Sequence, residues 1–199
     1  MKKKYELILA REQTLANSVA VQAIKPKPFS VWEVLVPVIF VLGYMRAKES
    51  RTLFAQNLLF TKKLALEAAF AVLKKEQSRE AVMTGVRSQT ASLLSTVPGG
   101  VYSDEIRQEQ LKEIDLLIDH YCRLMRAEGR DYAALVINAY QTQEDYRAFH
   151  EKLKSAEFSV TEAARRTLGE QADAGMAARI EAAADRFRRA EIEKIFNSN

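Results

Sequence analysis

The chain has 199 residues, with 7 Gly, 4 Pro and a single Cys, and it carries 30 Lys/Arg against 26 Asp/Glu. That length suits one domain with a core large enough to fold without metals or disulfides. The lone Cys122 excludes an intramolecular disulfide framework and a cysteine-rich metal site, and fits a reducing compartment.

Few chain breakers and abundant Ala, Leu, Glu, Lys, Arg and Gln favour helix, and no stretch shows sustained apolar/polar alternation. The expected fold class is all-α: a helical bundle with a long N-terminal helical region that contains a short apolar, membrane-type segment. The expected division is an amphipathic helix and Pro-containing linker over 1–28, the apolar segment over 29–45, and the bundle over 46–199. Charge is uneven, with 15 basic against 7 acidic residues in 1–100 and 15 against 19 in 101–199. The basic half holds the apolar segment, a pairing that suits anionic lipid headgroups. No nucleic-acid motif accompanies it, so nucleic acid is not an expected partner.

In chain order, residues 2–24 read as an amphipathic helix with Tyr5, Ile8, Leu15, Val19 and Ala23 along one side. Glu6, Arg11, Glu12 and Gln13 interrupt it, so a cleaved signal peptide is not expected despite the initial Lys run. Lys25-Pro-Lys27-Pro breaks the helix. Ser30 and Glu33 then form an S-x-x-E capping box, with Phe29 and Val34 placed as a hydrophobic staple. Glu33 is read as a cap in the first helical turn. The apolar run follows, through Leu35, Val36, Pro37, Val38, Ile39, Phe40, Val41, Leu42, Tyr44 and Met45. Pro37 predicts a kink.

The next helix continues to about residue 76. Leu58, Ala65, Ala69 and Val72 share a face, Phe54 is at its edge, and Leu59, Leu66, Phe70 and Leu73 widen it. Lys62, Lys63, Lys74 and Lys75 are expected on its solvated side. A further helical stretch carries Val82, Val86 and Leu93 and stops at the Pro98 turn. A helix is expected from Ser103 or Asp104 to about Glu128, capped by Gly129, with Ile114, Leu117, Ile118, Tyr121 and Met125 inward. Another contains Tyr132, Leu135, Val136 and Tyr140. Thr142 and Asp145 start a third, with Tyr146, Phe149 and Leu153 inward, and Ser159 and Glu162 suggest a fresh cap. The last helix, about 173–196, carries Met176, Ile180, Ala183, Phe187 and Ala190 at 4-3-4-3 spacing. This seam is expected to dock on the helix bearing Ile114 and Met125, with self-association as the alternative.

Residues 29–45 are short for a transmembrane helix. They are nonetheless apolar all round, with Trp32 and Tyr44 near the ends as in an aromatic belt. Lys25 and Lys27 lie before the segment and Arg46, Lys48 and Arg51 after it, placed to meet headgroups. Membrane insertion is the leading expectation, and burial in a core or against a partner is the other. Positive flanks on both sides give no orientation by charge, and are compatible with a re-entrant or interfacial element.

Catalytic signatures are missing. His120 and His150, the only histidines, form neither E-x-x-H nor H-E-x-x-H, and there is no Walker A loop, G-x-G-x-x-G or G-x-S-x-G. Both histidines are expected at the surface or part-buried. Tyr121, Tyr132, Tyr140 and Tyr146 are expected to pack with their hydroxyls bonded at the core edge. Arg186, Arg188 and Arg189 are expected on a solvated face. No catalytic residue, metal or cofactor is assigned.

The runs KPFSVWEVLVPVIFVLGYM and FAQNLLFTKKLALEAA resemble a group of small uncharacterised bacterial proteins with one hydrophobic segment near the N-terminus and a helical remainder. The resemblance covers about the first third of the chain. It implies membrane attachment and a helical fold, and transfers no activity. The expected function is a membrane-attached helical adaptor or scaffold, not an enzyme, at a bacterial inner membrane with its bundle in the cytoplasm. The expected partners are anionic lipid and either another protein or a second copy met through its helices. The alternatives are a soluble interaction module that buries the apolar segment in an oligomer, and a subunit of a membrane complex, non-catalytic or cofactor-binding.

Overall fold

The computed structural model describes residues 1–23, 47–96, 102–169 and 174–197. Among them are seven helices and no strand: α1 (Lys2–Ala23), α2 (Ala47–Lys74), α3 (Arg79–Thr96), α4 (Asp104–Arg126), α5 (Tyr132–Tyr140), α6 (Gln143–Leu168) and α7 (Ala174–Asn197). The all-α expectation holds for these residues. None of the described helices is long and apolar enough to cross a membrane.

Several helix ends follow local chemistry. The Ser103 side chain accepts from the Ile106 N–H, Asp131 from Ala134 and Thr142 from Asp145, each giving an otherwise unpaired first-turn amide a partner. Two expectations fail. Ser159 and Glu162 start no new helix, because α6 runs through them. The Ser159 hydroxyl bonds back to the Ser155 carbonyl, and Glu162 pairs with Arg165. Gly129 does not cap α4, which ends at Arg126 with Ala127 as its cap. It is a point of close approach instead: a Cβ there would lie 2.8 Å from the Leu135 amide nitrogen, so only Gly fits this turn.

Five helices close a ring in the order α1, α2, α4, α6, α7 and back to α1. Direction follows from the pairings. Tyr5 meets Phe70 while Leu15, Val19 and Ala23 share a cluster with Phe54, so α1 and α2 are antiparallel. Thr61 meets Gln110 and Ala69 meets Cys122, so α2 and α4 are parallel. That parallel pair requires a return, which α3 supplies outside the ring, with Arg79 bonded to Asp115 and Asp119 and Arg107 bonded to the Arg87 carbonyl. The short α5 packs against α1, α4, α6 and α7 and plugs one end of the ring. At the opposite end, Ala23 of α1, Phe54 of α2 and Met176 of α7 join one apolar cluster.

The seam of α7 is covered within the chain, as expected, but by a different helix. Met176 and Ala183 are buried with Leu15, Ala16 and Val19 of α1, and Ile180 and Phe187 pack on the same cluster rather than on α4. Ala190 is exposed.

Candidate functional site

The expected membrane residues, from Phe29 through Trp32 to Tyr44 and Met45, and the flanking Lys25, Lys27 and Arg46, lie outside the described residues, as does the Pro98 turn. Lys48 and Arg51 fall within the first turns of α2. What the structure places at the centre of the molecule is a set of charges.

Each of the five ring helices delivers at least one ionisable side chain to the buried interior: Arg11 and Glu12 from α1, Lys62 from α2, Glu113 and His120 from α4, His150 from α6 and Arg188 from α7. Lys62, expected on a solvated face, is only 2% exposed. Its ammonium donates to Glu157 Oε1 at 3.1 Å. Arg188, also expected at the surface, clamps the same carboxylate with two bonds of 2.6 and 2.8 Å. On the other side, Arg11 donates to Glu191 at 2.6 Å and to Glu12 at 2.8 Å, and its guanidinium lies over the Tyr132 ring. Next to this charged layer, towards the end of the ring opposite α5, Tyr102 donates to Gln110, which donates to Thr61.

His120 and His150 are buried, contrary to expectation. His120 stacks on Phe149 with centroids 4.0 Å apart, and its Nδ1 is 2.6 Å from the Tyr140 hydroxyl. Burial, then Arg11, Lys62 and Arg123, hold His120 well below the usual histidine range; burial, then Arg188 and Arg11, do the same to His150. Both rings are therefore neutral near pH 7. Of the four tyrosines, Tyr140 bonds His120 and Tyr132 bonds Tyr146 at 3.1 Å. The Tyr121 hydroxyl is buried beside Glu12 without hydrogen-bond geometry.

Charge in the layer is not balanced. Arg11, Lys62 and Arg188 face Glu12, Glu113, Glu157 and Glu191, three cations against four carboxylates. Glu113 is the one without an ion pair among the described residues. Burial raises its carboxyl and neighbouring Glu157 adds to this against Lys62 and Arg188, leaving it at about 7. For Glu157 burial also acts upward, but Arg188 and Lys62 override it and hold it at about 2. Glu113 is thus the carboxylate of the layer that takes up a proton as pH falls through neutrality.

Little else here is reactive. Burial raises the Cys122 thiol, which leaves it a poor nucleophile. Among the described residues no cluster of His, Cys, Asp and Glu is arranged to hold a metal ion. A cleft of about 390 Å³ lies between α6 and α7, with His150 and Arg188 in its wall.

Sequence reasoning missed this layer, yet its signal was present. Arg11 lies between Ile8 and Leu15, Lys62 between Leu58 and Ala65, Glu157 between Leu153 and Val160, and Arg188 between Ala184 and Ile192, each on a core-facing stripe. Charges at stripe positions on four helices require partners from one another. Comparisons with family models, curated proteins and solved structures find no match.

Proposed function

We propose that this chain is a membrane-attached helical adaptor, a rigid helical ring tethered to a bilayer by the apolar residues 29–45. One observation carries the reading. Ala23, the last residue of α1, and Phe54, near the start of α2, share one apolar cluster at the end of the ring opposite α5. A single crossing would leave its two flanks on opposite sides of a bilayer. Two helical crossings need about 20 residues each plus a turn, more than residues 24–53 supply. A segment that enters and leaves the same leaflet meets both limits. It also accounts for basic residues on both flanks, which then face the same headgroups. The interior ion pairs rigidify the ring, and the outer faces of α3, α4 and α6 serve as docking surface for a protein partner.

Membrane fractionation of the full chain with carbonate, salt and detergent washes tests this. The wild type should resist salt and carbonate and yield to detergent. Placing Arg at both Val38 and Val41 should release it, since each central charge costs about 2.5–3.5 kcal/mol on insertion scales. A wild type found as a soluble oligomer would replace the proposal with an interaction module that buries its apolar segment against copies of itself.

A further inference from the structure

The cleft between α6 and α7 carries a second inference, of which only the choice of a free anion over a lipid headgroup rests on the proposed membrane attachment. α6 and α7 form the least tightly packed seam of the ring. Two buried side chains in its wall lack partners. Arg188 is 4% exposed and uses both terminal nitrogens on Glu157, yet its Nε–H meets no acceptor. His150 is 6% exposed, and neither ring nitrogen has a partner. A buried donor left unpaired is costly, so two such groups beside one cleft amount to stored affinity for an acceptor. We propose that this cleft binds a small soluble monocarboxylate, its two oxygens accepting from the Arg188 Nε–H and from one ring N–H of His150.

The chemistry of the walls selects this class. A neutral imidazole offers one donor and one acceptor, and Arg188 adds one donor, so the inner wall presents two donors to a two-oxygen group. Four cations line the cleft, Arg147, Lys154, Arg188 and Arg189. Three carboxylates oppose them, Glu151, Asp185 and Glu193. Glu157 already neutralises Arg188, so the walls carry no surplus positive charge, which disfavours a phosphate dianion. Ile192, also in the lining, gives the carbon end an apolar contact. The Arg188 Nε and both His150 ring nitrogens are themselves buried, so the ligand reaches them only when the α6–α7 seam spreads.

Position decides between a free anion and a lipid headgroup. Met176 shares a cluster with Ala23 and Phe54 at the end where α1 finishes and α2 begins, which the proposed attachment turns to the bilayer, and Arg188 is twelve residues further along α7, about 18 Å at 1.5 Å per residue. A headgroup at the bilayer surface does not reach that far.

The test is nitrogen-15 NMR on the detergent-solubilised full chain, following the Arg188 Nε and His150 ring signals. The titrants are acetate, butyrate and benzoate, then inorganic phosphate at matched ionic strength, then phosphatidylglycerol vesicles. At least one carboxylate should shift both residues saturably, with phosphate weaker. Converting the exposed Arg147 and Arg189 together to Gln should weaken binding about fivefold by removing rim attraction without touching the core. His150→Phe, which keeps the ring volume and removes both nitrogens, should abolish it. The proposal falls if no carboxylate gives a saturable shift, if phosphate binds as tightly, or if both variants bind like the wild type. Shifts caused by vesicles alone would make the cleft a headgroup site and overturn the soluble-ligand assignment.

Discussion

Glu113 makes the interior pH-sensitive, and the sign can be worked out. Its carboxyl holds a proton more tightly in the folded chain, at about 7, than the ordinary 4.5 of an exposed glutamate. Stability from this residue is therefore complete below about pH 4.5 and is lost as pH rises to about 7. The loss amounts to about 3 kcal/mol. The buried histidines act oppositely, because an unfolded chain protonates them below about 6.5 while the folded chain does not. Comparing wild type with Glu113→Gln removes that background. Denaturant melts between pH 5 and 7.5 should show the variant gaining about 2.4 kcal/mol on the wild type as pH rises; parallel pH curves would contradict the assignment. Glu157 behaves differently, since Lys62 and Arg188 both depend on it. Its stabilising effect is present above about pH 4.5 and fades as pH falls towards 2. Glu157→Gln leaves two buried cations facing each other and should cost about 3–5 kcal/mol in urea unfolding at pH 7. Lys62→Met should cost less, because Arg188 still neutralises the carboxylate.

At the scale of elements, the helices were legible and their partners were not. Caps at Ser103 and Thr142, the stripe from Ile114 to Met125, and the seam from Met176 to Phe187 all follow from spacing along one helix, which a single sequence displays. Which helix covers which stripe depends on long-range pairing. The α7 seam therefore found α1, with Arg11 reaching Glu191 across 180 positions, instead of α4. Lys62 was assigned to solvent for the same reason: its partners Glu157 and Arg188 belong to helices that periodicity within α2 cannot see. Ser159 and Glu162 show the converse, a local cap pattern overridden when α6 continued into a packed cluster with Val160 and Ala163. Two element-level outcomes follow. Phe187 is only partly buried, so Phe187→Ala should cost about 1.5–3 kcal/mol, below the 3–5 of a fully enclosed Phe, without changing oligomeric state. Gly129→Ala should cost about 1–3 kcal/mol in thermal or urea melts, because its Cβ would press on the backbone where α5 begins and disturb the plug of the ring. A neutral effect at Gly129 would mean that the turn yields freely.

For the molecule as a whole, the ring brings its first and last described helices together. α1 is the first helix and α7 the last, and their contact, fixed by Arg11 with Glu191 and by Arg179 bonding the Ala23 carbonyl, completes the wall. This arrangement has a consequence in time. A ribosome delivers α1 and the apolar residues 29–45 early, but the last wall of the ring only once residues 174–197 have been made. Until then Arg11, Lys62 and Glu157 line an open trough in contact with water, and α1 has lost one of its two main neighbours. Synthesis should therefore produce a long-lived open form that chaperones or a bilayer can engage before closure. Chains stalled at residue 173 should be cut rapidly within α1 by a limiting protease, while released full-length chains resist. Equal resistance would mean that α1 through α6 fold without their closing helix. Under the proposed attachment, translation order and bundle topology together give the apolar segment a period in which to meet a membrane while the ring is still open.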